Sequence, residues 1–90
     1  MPTSEEFYLF IKGKLSFSDN VSYRKMMGEY LIYKDGKVVG GLYDDRFLMK
    51  PTNKIVGIIP SPVYELPYAG AKPMIRIENF ETDRLKKLFE

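Results

Sequence analysis

The sequence predicts an α+β fold of two layers, in which an antiparallel sheet of about five strands packs against flanking helices. Apolar residues recur with the helical period at both ends of the chain, whereas the middle segment alternates with a period of two. The connections within that middle segment are too short for the crossovers that parallel strands require. At 90 residues, the chain has the length of one small domain, which we assign to residues 1–90.

The first predicted element is a helix that begins beside Thr3 and ends near Ser16. Thr3 and Glu6 have the spacing of a capping box, in which each side chain bonds the backbone N–H of the other residue. Turn-forming polar residues follow the helix and end it. Residues spaced three and four apart form one of its faces, namely Phe7, Phe10, Ile11, Lys14 and Leu15.

Four strands are predicted in the middle segment, because β-branched and aromatic residues occur there in short alternating runs. Asp35 and Gly36 give the strongest turn signal, since a type I′ turn needs positive φ at both central residues. We therefore expect a positive φ at Gly36. Asp44 and Asp45 give a second, weaker turn signal. The predicted strands are Val21–Met26, Glu29–Tyr33, Lys37–Tyr43 and Arg46–Lys50.

Two adjacent glycines, Gly40 and Gly41, lie inside the third predicted strand. Glycine within a strand indicates a bulge or a place where neighbouring atoms pack close to the backbone. We favour that structural role over the alternative, in which the two glycines allow a ligand to approach.

The second half of the chain is predicted to hold two short helices, two extended segments and a fixed loop. Thr52 caps the first of these helices, which runs through Ile59. Pro67 and Pro73 bound the loop, and Gly70 allows the backbone to reverse there. The extended segments are Val63–Leu66 and Met74–Glu78, and the last helix is capped near Thr82.

Composition excludes several kinds of catalytic and metal site. The chain has no cysteine and no histidine, so it lacks disulfides, thiolate ligands, cysteine nucleophiles and the commonest general base. Asp44 and Asp45, with Glu29, offer carboxylates for a divalent cation, but adjacent turn residues usually point apart. We therefore expect no enzymatic activity, no metal and no cofactor.

The charge is nearly balanced overall but uneven along the chain. The formal net charge is +2, and residues 12–54 hold nine of the basic residues against five acidic ones. No apolar run approaches the roughly 20 residues that span a bilayer, and the acidic start differs from the basic start of a signal peptide. The expected location is the cytoplasm, with no membrane partner.

Basic and tyrosine side chains alternate along the predicted sheet and form the candidate interaction surface. Such a surface can bind phosphates through its cations and stack bases on its rings, which makes nucleic acid one candidate partner. The interpretation that we favour is an ordinary solvated sheet face, on which lysines also protect strand edges. The candidate residues are Tyr23, Arg24, Lys25, Tyr30, Tyr33, Lys34, Lys37, Tyr43, Arg46 and Lys50.

Residues 23–37 contain the pattern Arg-Lys-Met-hydrophobic-Gly, followed by Tyr-x-Asp-Gly-Lys. Residues 44–50 and 64–74 agree with the same pattern in later segments. On these residues the chain resembles the N-terminal domain of the TfoX/Sxy family of bacterial competence regulators. It departs from that family at Met27, where phenylalanine is common, and at Glu29, where a second glycine is common.

The resemblance implies a two-layer α/β domain with a topology similar to that of type III secretion chaperones. It also implies a non-enzymatic protein with a link to transcriptional control of DNA uptake. A protein partner is therefore expected, and nucleic acid is the alternative. A symmetric homodimer is expected as well, because a short chain without disulfides gains stability by burying a sheet face or edge against its own copy.

Overall fold

One antiparallel sheet of six strands carries three helices on one face in the computed structural model, which describes residues 2–90. This arrangement confirms the predicted α+β class. The strands are β1 (Val21–Met26), β2 (Glu29–Lys34), β3 (Lys37–Tyr43), β4 (Arg46–Met49), β5 (Tyr64–Glu65) and β6 (Met74–Ile77), and the helices are α1 (Glu5–Lys14), α2 (Asn53–Ile58) and α3 (Thr82–Phe89). Their order across the sheet is β1-β2-β3-β4-β6-β5.

Turns of two residues join the first four strands into a meander. The φ angles of Asp35 and Gly36 are +53° and +80°, which confirms the expected positive φ at Gly36. Asp44 and Asp45 adopt the same kind of turn without a glycine, with φ of +52° and +58°. The remaining turn, at residues 27–28, also has positive φ at both positions. These short turns leave little freedom in how the strands pair.

The hydrophobic core lies between the helices and the face of the sheet that they cover, which we call the helix face. Alternation along each strand sends every second side chain into this core. The other face, which we call the open face, has a smaller apolar cluster of Leu31, Tyr43, Leu48 and Met74. The most deeply buried members of the main core include Ile11, Leu15, Ile32, Leu42, Phe47, Met49, Ile75 and Leu85.

Gly40 and Gly41 confirm the predicted close packing inside β3. A Cβ built at Gly40 would lie 3.0 Å from the Cα of Met49 on the neighbouring strand. A Cβ at Gly41 would lie 2.7 Å from the carbonyl oxygen of Tyr30 and 2.7 Å from the Tyr43 hydroxyl. The β2–β3 register also shifts between Ile32 and Tyr33, so a bulge lies beside the two glycines.

The start of α1 differs from the sequence prediction, because its cap is Ser4 rather than Thr3. The Ser4 hydroxyl accepts a hydrogen bond from the backbone N–H of Phe7 at 3.1 Å. Thr3 is instead buried, and its hydroxyl donates to the Glu29 carboxylate at 3.1 Å. Because Thr3 bonds a distant strand, it is unavailable for the helix, and the cap moves by one residue. Phe10, predicted on the apolar face, is 46% exposed.

The caps of α2 and α3 agree with the prediction in part. The hydroxyl of Thr52 accepts a hydrogen bond from the backbone N–H of Ile55, which confirms it as the cap of α2. The helix α3 begins at Thr82, but its N-cap is Glu81 and no side chain caps it. Thr82 therefore lies inside the first turn rather than before it.

The loop between β5 and β6 is bound to the open face by Arg46. The guanidinium donates to the carbonyl oxygens of Leu66 at 3.1 Å and Pro67 at 3.3 Å. Within the loop, the N–H of Ala71 donates to the carbonyl of Tyr68 at 3.2 Å, which closes a turn. Gly70 has a φ of +87°, which confirms the expected reversal at this residue.

A shared carboxylate strengthens this attachment. Glu65 accepts hydrogen bonds from Arg46 at 2.9 Å and from Arg76 at 3.0 Å. The hydrogen bond from Arg46, together with that from Arg76, holds the pKa of the Glu65 carboxyl below its ordinary value of 4.5. The loop and β5 are thus held to the sheet by a charged cluster of three side chains.

Substitution of Gly40 by alanine tests the close packing of β3. The new Cβ would press on the backbone of β4, which cannot move without loss of pairing, so we expect Gly40→Ala to destabilise the fold by about 1–3 kcal/mol. Gly13→Ala is the matched control, because a Cβ there has open space among the residues of the described chain. Since Gly13 lies within α1, alanine should stabilise by up to about 1 kcal/mol. Urea unfolding measures both, and equal stabilities would contradict the interpretation.

Glu65 should make the stability of the fold depend on pH. Because its pKa is lowered on folding, its contribution is fully present above about pH 4.5 and is lost as the pH falls through the folded-state pKa. We expect Glu65→Gln to destabilise the protein by about 1 kcal/mol at pH 7 and much less at pH 3. Glu78→Gln, which removes a carboxylate that is 68% exposed, is the control. A Glu65→Gln effect that is the same at both pH values would refute the role of this carboxylate.

Candidate interaction surface

The structure divides the predicted interaction surface between the two faces of the sheet. Tyr23, Lys25 and Tyr30 lie on the helix face, as strand alternation and the core contacts show. Tyr30 stacks on Tyr8 of α1, with ring centroids 4.1 Å apart, and Tyr23 meets Tyr8 edge-on at 5.5 Å. Burial raises the pKa of Tyr23 to about 12. These aromatic rings stabilise the docking of α1 and are not presented to a partner.

Other residues of the predicted interaction surface lie on the open face. Register pairs Arg24 with Leu31, and Tyr43 with Arg46, on the side away from the helices. Tyr43 is only 8% exposed, because its ring lies over Gly41, and this burial raises its pKa. The predicted residues on this face are Arg24, Tyr33, Tyr43 and Arg46. Lys50 follows the end of β4 and borders a groove on the same face.

The two remaining predicted residues, Lys34 and Lys37, pair with each other at the end of the β2–β3 hairpin. The Lys34 ammonium is 3.1 Å from the Asp35 carboxylate in the adjacent turn. The ten predicted residues therefore form no single platform. The tyrosine rings needed for base stacking are largely buried or lie on the helix face.

A groove of about 470 Å³ opens on the open face between β3, the end of β4 and the Pro67–Pro73 loop. Its walls are mostly apolar or aromatic, and Lys50 and Lys72 contribute to its lining. The apolar and aromatic residues that line it are Val38, Tyr43, Pro51, Pro67, Tyr68, Ala71, Pro73 and Met74. Tyr68 is 64% exposed, although it packs beside Tyr43 at a centroid distance of 6.3 Å. The groove is thus apolar inside and cationic at its border.

The open face carries more cations than carboxylates. Glu65 is ion-paired with Arg46 and Arg76, whereas Glu29 accepts hydrogen bonds from two neutral donors, the Thr3 hydroxyl and the N–H of Asp44. Lys50, Lys72 and Arg24 form no ion pair with any residue in the described range 2–90. The free charge on this face is therefore positive, which favours an anionic partner.

Most of the residues that line the groove are not predicted from the sequence to lie together. Val38, Tyr68, Lys72 and Met74 come from β3, from the loop and from β6, and only the folded sheet brings them together. The two prolines that bound the loop predict that it is rigid, but no local sequence signal predicts the surface against which the loop packs. That surface is determined by Arg46, whose hydrogen bonds to the loop carbonyls hold the loop on the open face.

Two of the three acidic residues that the sequence offers for a cation, Asp45 and Glu29, accept hydrogen bonds from the N-terminal segment. Asp45 accepts a hydrogen bond from the N–H of Ser4 at 2.8 Å, and the N–H of Asp45 points to the hydroxyl of Thr3 at 3.4 Å. Glu29, which begins β2, accepts a hydrogen bond from the Thr3 hydroxyl. Among residues 2–90, no three acidic side chains are grouped so that they could hold a metal ion. No helix in this range is long and apolar enough to cross a membrane.

The chain is similar in sequence to a protein whose name assigns no activity. No family model and no solved structure matches the chain. The chain is 38% identical over 72 residues to the "Uncharacterized 12.7 kDa protein in trpE 5'region" of Spirochaeta aurantia. The alignment covers 80% of this chain and 63% of that protein, so the chain spans less than two thirds of its relative. The name of the relative assigns no activity.

Proposed function

We propose that the chain is a non-enzymatic regulatory module that binds a protein partner through the groove of its open face. The observation that carries this proposal is an apolar groove bordered by two lysines without ion-pair partners in the described chain. An acidic segment that also carries apolar side chains complements it. Its apolar groups would enter between Val38 and Tyr68, and its carboxylates would meet Lys50 and Lys72.

The edges of the sheet favour binding on the face rather than strand addition. At one edge, β1 carries the adjacent cations Arg24 and Lys25, which would repel the same strand of a second copy. At the other edge, β5 has only two residues, and prolines lie on both sides of it at residues 62 and 67. Neither edge offers a long uncharged row of backbone groups to another strand.

The regulatory part of the proposal rests on the resemblance to the N-terminal domain of the TfoX/Sxy regulators. Of the segments that carry this resemblance, residues 64–74 supply six of the ten residues that line the groove, and residues 44–50 supply Lys50. The contribution of residues 64–74 to the groove supports a binding role for this part of the pattern. We propose transcriptional regulation as that role, with DNA-uptake competence as the process that the resemblance implies.

A protein partner is favoured over nucleic acid because of where the tyrosines lie. Stacking of bases needs exposed rings beside the cations. Tyr23 and Tyr30 pack against α1, and Tyr43 is buried beneath the loop. The groove also has an aliphatic and proline lining, which suits apolar side chains better than phosphates. Nucleic acid is the alternative that the following experiment tests.

Selection from a peptide-display library tests the proposed partner chemistry. We expect peptides selected by the wild-type protein to combine aspartate or glutamate with aliphatic or aromatic residues. Their affinity should fall at least about tenfold for Lys50→Glu/Lys72→Glu, because both border charges are reversed. Lys86→Glu/Lys87→Glu changes the net charge equally on α3 and should bind like the wild type.

Two outcomes of this experiment would refute a protein partner at the groove. One is selection of peptides without acidic residues, or of peptides that bind both double variants equally. The other is that a single-stranded oligonucleotide binds the wild type with a steep salt dependence and loses affinity in Lys50→Glu/Lys72→Glu. That second result would assign the open face to nucleic acid.

Self-association is a separate prediction that light scattering can measure. A symmetric dimer through the open face would place Arg24, Lys50 and Lys72 of both copies near one another, so we expect it to form more readily at high salt. A monomer mass at every protein and salt concentration would exclude the homodimer. The acidic partner would then be the remaining protein candidate.

A further inference from the structure

A second cavity, of about 190 Å³, lies on the helix side of the sheet between α2, the end of α3 and strands β3 and β4. All but one of its aliphatic and aromatic lining residues belong to or pack on the main core, and the exception, Val38, also lines the open-face groove. Four of them are nearly inaccessible, with Met49 only 2% exposed and the others 4%. The apolar lining residues are Val38, Val39, Met49, Ile55, Leu88 and Phe89.

Local irregularities in the sheet and the α2 connection shape this cavity. The register shift between β2 and β3 leaves Val39 without a partner on β2, while its carbonyl accepts from the N–H of Lys50 at 2.9 Å. Thr52 then caps α2 and places Lys54 in the first turn of that helix. Bulges often redirect side chains at functional sites, and here the bulge residue lies in the cavity wall.

Three lysines line the same cavity. Lys34 is paired with Asp35, and its side chain is 22% exposed. Lys50, which borders the open-face groove as well, and Lys54 form no ion pair within the part of the chain described, 2–90. One acidic residue, Glu90, also borders the cavity. The border therefore carries more positive than negative charge around an apolar interior.

We propose that this cavity binds a small carboxylate whose apolar body is about the size of one aromatic ring. An apolar cavity of about 150 Å³ accommodates benzene, so the space here suits one ring with a short substituent. The unpaired lysines at the border provide the attraction for the carboxylate. An inorganic anion alone would leave the apolar lining unused, and an uncharged ring would leave the lysines unused.

NMR titration with a matched pair of ligands tests this proposal. Phenylacetate and phenylethanol share a ring and differ in the carboxylate, and methyl signals of Val39, Ile55 and Leu88 report binding. We expect phenylacetate to shift these signals along one saturating curve, with a Kd on the order of 1 mM or lower. Phenylethanol should bind at least about threefold more weakly, because it offers no charge to the lysines.

Variants assign the charge and the location of the ligand. Lys54→Gln should weaken phenylacetate binding about threefold to tenfold and leave phenylethanol unchanged. Lys87→Gln is the control, because Lys87 lies in the last turn of α3 and does not line the cavity. Val39→Phe should reduce the affinity of both ligands by occupying the space, and the two lysine variants keep the test decisive if that variant fails to fold.

Three results would overturn the proposal. Equal affinity for the acid and the alcohol would remove the role of the charge. Signals that move only near the open-face groove would place the ligand elsewhere. An absence of saturation at concentrations of several times the expected Kd, about 10 mM, would show that the cavity does not bind this class of ligand.

Discussion

The pairing register of the β1–β4 meander determines which side chains enter the core and which remain on the open face. Side chains alternate with a period of two, so a slip by one residue would exchange the two faces. Turns of two residues prevent such a slip, and each has positive φ at both positions. Gly40 and Gly41 then allow β3 to pack against close neighbouring atoms. The core, the groove and the helix-side cavity all follow from this one pairing.

Two sets of long-range hydrogen bonds attach the N-terminal segment and the β5–β6 loop to the meander. The segment before α1 bonds two carboxylates at this end of the meander, Glu29 through the Thr3 hydroxyl and Asp45 through the backbone N–H of Ser4. Arg46 bonds the loop and Glu65 on the open face. Glu65 is ion-paired with Arg46 and Arg76. Lys50 and Lys72 on the open face, and Lys54 at the helix-side cavity, form no ion pair with any residue in the described range 2–90.

Elements that depend on local signals could be predicted from the sequence, and those that depend on distant partners could not. The Asp35–Gly36 turn and the Thr52 cap require only neighbouring residues, and both are confirmed. The predicted cap of α1 is wrong by one residue, because the Thr3 hydroxyl bonds Glu29, which is 26 positions away in the sequence. Within the candidate surface, Tyr23 and Arg24 are adjacent in one strand and therefore lie on opposite faces of the sheet. This separation could have been predicted from strand alternation alone. The groove could not be foreseen, because it depends on the loop that Arg46 draws to the sheet.

The position of β6 between β4 and β5 affects how the chain folds during its synthesis. The meander is complete once residue 49 has emerged, but β4 remains an edge strand until residues 74–77 can pair with it. In that interval, the apolar run Phe47–Met49 presents unpaired backbone N–H and C=O groups. A second nascent chain can pair with the same groups, which is a common origin of aggregation. Pairing of β6 with β4 covers this edge, so β6 protects the chain from such contacts in addition to the stability that it gives the sheet.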